Sequence, residues 1–224
     1  MSFQRQIYPS AYKSDHDLTK DMIGIGMLFG GDGSEDPNIE DTLVAASIAG
    51  VDGDFRVLSI LTDWLDIHLR IVNADRLIQL VSALDDEQVK RYWIAITQWK
   101  KTDQRLARLR RKGRGGRQSL TNKLSDFQLK KYGEDERFAK TKLIVPKHLL
   151  RHRPKDIAPP EFLAKKHHGY KYRLIIGPTY RADLWAVLER EGDLTITELA
   201  RRTYSSIGTA WEVKKNWDLL KGEP

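Results

Sequence analysis

The chain contains no cysteine. That absence removes disulfides, thiolate nucleophiles, iron–sulfur clusters and every zinc site built on sulfur, and leaves histidine and carboxylate as the remaining metal ligands. Long apolar runs are missing too: no stretch approaches the roughly 18 residues of a membrane helix, and the opening MSFQRQIYPSAYKSDHD lacks the apolar core of a secretion signal. A cytoplasmic location without membrane contact is expected. What is present, 224 residues with 40% hydrophobic side chains and six tryptophans, suits one modest domain or two small ones.

Charge is distributed unevenly along the sequence. Residues 1–90 hold 7 Lys+Arg against 16 Asp+Glu, which leaves 31 against 15 for residues 91–224. An acidic front and a strongly basic rear fit a body for protein contacts joined to a portion that meets a polyanion, most often nucleic acid.

Residues 1–37 read as a flexible arm followed by a loop rich in glycine and acidic residues. Gly24, Gly26, Gly30, Gly31 and Gly33 do not make a phosphate cradle, because Asp32, Glu35 and Asp36 follow where phosphate would sit. An EF-hand starting at Asp32 fails as well, with Pro37 at the loop-glycine position and Leu43 at the bidentate-glutamate position.

Residues 38–111 predict an acidic helical domain, a bundle or short helical array. Asn38, Asp54 and Asn73 stand where N-caps belong, and Asp85 with Gln88 predicts a capping box for a longer helix carrying Val89, Tyr92, Trp93, Ile96, Trp99, Leu106 and Leu109. His68 falls near the apolar stripe of the second helix and reads as a core or rim histidine.

Residues 112–172 read as a basic connector with short helices, including a weak stretch from Leu120 to Gly133. The segment Lys100–Arg117 has nine basic residues and one acid, Asp103, and its glycines suggest a basic arm that follows phosphates. His148 and His152 are four apart, with His167 and His168 further on, but no HExxH-type carboxylate accompanies them. No metal, cofactor or catalytic residue is expected.

Residues 173–224 carry the strongest constellation, RADLWAVLEREGDLTITELARRTYSSIGTAWEVKKNWDLL. Thr195 with Glu198 caps one short helix and Ser206 caps the next. Ala200 supplies the small residue where two helices touch, and Ala210 and Val213 supply the inward positions that follow it. The exposed side of the last helix is predicted to show Ile207, Gly208, Trp211, Glu212 and Lys215.

At these residues the chain resembles the helix-turn-helix core of winged-helix transcription regulators. The lead-in GPTYRADLWAVLEREG is similar to that of a group of bacterial helix-turn-helix proteins often encoded beside a nucleotidyltransferase gene in toxin–antitoxin or defence-like operons. DFRVLSILTDWL and NADRLIQLV fit the helical region preceding that unit, so the resemblance spans most of residues 38–220. It departs at Tyr204, where the turn usually has glycine, and in the wing, which is reduced or absent.

The expectation is a mainly α protein that is not an enzyme and binds duplex DNA as a regulator or accessory factor of a bacterial operon. Arg105, Arg108, Arg110, Arg111, Arg114, Arg117, Lys165 and Lys166 would meet the phosphate backbone. Ser206, Gly208, Trp211, Lys214 and Lys215 would form the recognition helix. The alternative is an adaptor of a defence-like complex that engages a protein through the acidic domain and Trp211. A homodimer is a further option, as is single-stranded nucleic acid stacked on Tyr170, Tyr172 and Trp211.

Overall fold

The computed structural model describes residues 5–120 and 126–222. The expected arm before residue 5, the start of the weak helix at 121–125 and the last two residues lie outside the described residues. The protein is mainly helical. The helices are α1 (Asp15–Gly24), α2 (Ile39–Asp52), α3 (Phe55–His68), α4 (Ala74–Ala83), α5 (Glu87–Trp99), α6 (Ala107–Arg110), α7 (Asp126–Tyr132), α8 (Pro160–Lys166), α9 (His168–Ile176), α10 (Tyr180–Glu191), α11 (Ile196–Thr203) and α12 (Ile207–Lys221). Two-residue strands β1 (Gln118–Ser119) and β2 (Leu143–Ile144) pair in parallel, Gln118 opposite Leu143. Among the described residues no helix is long and apolar enough to cross a membrane.

Capping chemistry sets where these helices begin. The side chains of Asn38, Asp54 and Asn73 accept backbone N–H groups of the first turns of α2, α3 and α4, each worth about 1 kcal/mol. Asp86, not Asp85, caps α5 by accepting from the Gln88 and Val89 amides. The long helix expected to reach Leu109 ends instead at Trp99. Asp103 then starts a 3-10 turn over Gln104–Leu106 that leads into α6, so Leu106 and Leu109 reach the core after a change of direction.

One core holds most of the chain. Leu58, Leu61, Trp64 and Leu65 of α3 are fully buried with Leu77, Leu80, Tyr92 and Trp93. Phe138, Leu143, Val145, Leu150, Ile157, Leu163 and Tyr170 join the same cluster. The expected connector is therefore part of the body, because its scattered apolar residues are buried by partners distant in sequence. The arm and loop differ from expectation for the same reason: Leu18, Met22, Ile25 and Met27, in and just after α1, are buried. Two glycines let the loop close on this helix. A Cβ on Gly24 would stand 2.5 Å from the Ser34 carbonyl, and one on Gly33 would stand 2.9 Å from the Gly24 nitrogen. Asp36 then anchors the loop, its carboxylate accepting from the His168 amide and Nδ1, both at 2.6 Å.

A second, smaller core belongs to α10–α12: Leu184 and Leu188, Leu199 and Ala200, Ala210 and Val213. Its rim is aromatic, with Trp185 lying between Tyr172 and Trp217 at ring separations of 6.5 and 5.6 Å.

Candidate nucleic-acid interface

Two polar networks, one buried and one partly buried, join the α10–α12 unit to the body. In the first, Glu40 at the start of α2 is fully buried and accepts both terminal nitrogens of Arg173, at 2.6 and 2.8 Å, together with the Asn73 amide at 2.8 Å. Arg173 donates its Nε to Asp183 of α10 at 2.7 Å and an Nη1–H to the Ile71 carbonyl at 3.2 Å. Burial alone would raise the Glu40 pKa, but the facing guanidinium reverses that and holds it below the usual carboxylate range. The planar fork of Arg173 suits a site where two carboxylates must be matched at once.

The second network is built around Tyr204, the residue that departs from the usual turn glycine. It has φ of 57°, a left-handed conformation that disfavours a residue with a Cβ by about 1–2 kcal/mol. Its side chain gives a reason to accept that strain. The hydroxyl donates to Asp41 at 2.9 Å, the ring lies 3.5 Å below the Arg76 guanidinium, and its carbonyl accepts from Arg5. Arg76 also pairs with Asp41 and donates to the Ile7 carbonyl. Burial pushes the Tyr204 phenol up to about 12, so it remains a donor across the ordinary pH range.

On the α12 side, Ser206 caps the helix by accepting from the Thr209 amide. Gly208, Trp211 and Lys215 are exposed, and the Lys215 ammonium sits 5.4 Å from the Trp211 ring. Two residues differ from expectation. Ile207 packs against the small core rather than facing out. Lys214 turns back toward Asp193 and Asp218, at 2.5 and 2.6 Å, and these partners raise its pKa.

The residues expected on the phosphate backbone divide into three groups. Arg105, Arg110 and Arg117 brace the fold: Arg105 donates to the Leu69 and Val72 carbonyls, Arg110 to those of Lys101 and Asp103, and Arg117 to Glu134 and the Thr141 carbonyl. Arg108 stands 3.8 Å from Asp75 with both side chains exposed, a contact of little energetic value. Arg111, Arg114, Lys165 and Lys166 are exposed, and no side-chain partner engages them among the described residues. The segment looked like a free basic arm because Arg105 and Arg117 are captured by carbonyls from other parts of the chain, and Arg110 by carbonyls that come within reach only where the helix breaks after Trp99.

The histidines do not converge. His148 lies edge-on to Tyr132, His152 contacts Asp63, and His167 and His168 sit beside Asp36. Among the described residues no three His, Asp or Glu side chains are arranged to hold a metal ion. Tyr170 is buried and donates its hydroxyl to His68 Nδ1 at 2.8 Å, while Tyr172 stacks on Trp185, so neither is free to stack on a base. The basic side chains Arg56, Lys147 and Arg151, together in one cleft, were not singled out from sequence; the signal was the dense basic run of residues 147–155.

No protein-family model matches the chain, and no curated protein or solved structure is similar to it.

Proposed function

We propose that this is a duplex DNA-binding protein, a regulator or accessory factor of a bacterial operon, in which α11 and α12 act as a helix-turn-helix. The observation that carries this reading is the placement of the first half of α12. Leu199 and Ala200 of α11 are buried against Ala210 and Val213 of α12, while Ser206, Gly208, Trp211 and Lys215 are left on the outer side. That division between inward and outward residues is what a recognition helix needs to enter a major groove. Gly208 permits close approach to the duplex, and Trp211 can meet thymine methyl groups.

Phosphate contact comes from Arg111, Arg114, Lys165 and Lys166, which no carboxylate or carbonyl engages among the described residues. The reading is tested by fluorescence anisotropy of a labelled duplex at several salt concentrations. Arg111→Ala with Arg114→Ala is expected to weaken binding to all sequences and to reduce the salt slope by up to about 0.9 for each lost phosphate contact. Trp211→Ala or Lys215→Ala is expected to reduce discrimination between sequences by roughly 1–3 kcal/mol. Substituting Arg105, Arg110 or Arg117 should lower stability instead. Equal binding by the wild type and both sets of variants would contradict the proposal.

A second reading, a protein-interaction adaptor, is favoured by the outward apolar surface of α12, where Trp211, Leu219 and Leu220 are 51%, 65% and 77% exposed. Aromatic anchors of this kind dominate protein interfaces. A Trp211→Ala variant that keeps its DNA preference and loses a protein partner, or a second copy of the chain, would favour this reading.

A further inference from the structure

We propose that the cleft between the start of α3 and residues 147–153 binds a ligand carrying two or more adjacent phosphates. The cleft encloses about 580 Å³, within the range of small-molecule sites. Its walls carry Arg56, Lys147, Arg151 and Arg153 with His148, and among the described residues no carboxylate lines it. Arg153 has a partner in Asp156 at 2.9 Å. The side chains of Arg56, Lys147 and Arg151 make no ion pair among the described residues, and Arg56 meets only the Phe29 ring.

Cations gathered without counter-charge repel one another, so their proximity costs stability unless a ligand supplies the missing charge. The fold nonetheless fixes the backbone that carries them. The Arg151 amide donates to Ser59 Oγ of α3 at 3.1 Å. Asp63, one turn further along α3 and almost fully buried, accepts from the Arg153 amide, from Arg137 at 3.0 Å and from His152 at 3.1 Å. With its charge matched by Arg137, Asp63 braces the segment rather than neutralising the cleft. A site fixed in advance loses less freedom when its ligand arrives.

His148 adds an independent sign of function. It has φ of 71°, a conformation unusual for a residue with a Cβ and concentrated at binding and catalytic sites. It stands edge-on to Tyr132 at 5.9 Å, on the cleft wall. The start of α3 is not itself the binding element, because Asp54 already accepts its free Arg56 and Val57 amides.

The cation count decides the ligand class. One phosphate, carrying at most about two negative charges, would leave a cation unmatched and could not span the three side chains, whereas a run of two or three can engage Arg56, Lys147 and Arg151 together. The cleft is also separate from the α12 surface. It lies at the first turn of α3, and the Ile71 carbonyl that accepts from Arg173 lies beyond the other end of this 14-residue helix, about 20 Å away. The inference therefore stands or falls independently of DNA reading by α12.

The shared chemistry is a phosphate run, from either a free nucleotide or a nucleic-acid strand. The test is calorimetric titration of the full chain with inorganic tripolyphosphate, ATP and a ten-nucleotide single strand at low salt. Lys147→Ala with Arg151→Ala, and separately Arg56→Ala, are expected to weaken tripolyphosphate binding at least about tenfold. Arg111→Ala with Arg114→Ala should leave it unchanged. The cleft side chains being exposed and mutually repelling, thermal unfolding of these variants without ligand should occur at or above the wild-type temperature. ATP binding tighter than tripolyphosphate, with the excess lost in Tyr132→Ala, identifies a nucleotide as the source. Tightest binding of the strand identifies nucleic acid. No binding of any probe, or equal losses in the cleft and Arg111/Arg114 variants, would overturn the inference.

Discussion

Replacing Arg173 by methionine is expected to lower the free energy of unfolding by about 3–5 kcal/mol, the usual effect of removing one partner from a buried ion network. The side chain is 2% exposed, and its loss leaves Glu40, fully buried, and Asp183, 12% exposed, facing one another with no positive charge between them. The Ile71 carbonyl loses a donor as well. Urea unfolding followed by tryptophan fluorescence measures the effect. A companion variant with Glu40→Leu, Arg173→Met and Asp183→Leu should recover much of the loss, because apolar replacement of a whole buried network is often neutral or better. A loss below about 1 kcal/mol for Arg173→Met, the range of exposed pairs, would mean that the network does not tie α10–α12 to the body.

Acid should destabilise the protein before its carboxylates protonate. His68 is fully buried, donates from Nε2 to the Ala158 carbonyl at 3.0 Å and accepts the Tyr170 hydroxyl at Nδ1, the pattern of a neutral ring. Burial moves its pKa from 6.5 down to about 4. A folded-state pKa below the unfolded value means that the unfolded chain binds more protons between those limits. Stability is therefore complete above pH 6.5 and falls as the pH drops toward 4. The expected loss between pH 7 and 4.5 is about 2.5 kcal/mol from His68 alone. His167, lowered chiefly by burial, adds to it with the same sign. Urea titrations across this range for the wild type and His68→Gln check the assignment: the variant should show a shallower pH dependence, and parallel curves would contradict it.

Local signals in the sequence were mostly legible where the interaction itself is local, the cap of α5 being displaced by one residue from Asp85 to Asp86. Asn38, Asp54, Asn73, Thr195 and Ser206 each cap the helix they precede, because a cap needs only a short polar side chain and the next few amides. The inward series Leu199, Ala200, Ala210 and Val213 was legible for the same reason. What escaped was set by distant partners. The body claims residues 112–172 because Phe138, Leu143 and Tyr170 fill a core begun by α3, and no periodicity within that stretch reports it. The boundary expected at residue 173 falls inside α9, on the side chain that joins the two units.

The outward side of α12 was largely legible in sequence; which cations stay unpaired was not. Arginine composition does not reveal which guanidinium groups are engaged by backbone carbonyls, and Arg105, Arg110 and Arg117 were indistinguishable in sequence from Arg111 and Arg114. Tyr204 was noticed as a departure from glycine. Its partners Asp41 and Arg76 lie more than a hundred residues away, so its docking role could not be read from the turn.

The central claim, that the outer side of α12 meets duplex DNA, is tested most directly by the indole N–H resonances of the six tryptophans during titration with duplex. The Trp211 signal, assigned through Trp211→Phe, should shift progressively and saturate with DNA, while those of the fully buried Trp64 and Trp93 stay in place. A Trp211 resonance that does not move at saturating duplex would contradict the assignment of α12 as the DNA-reading helix.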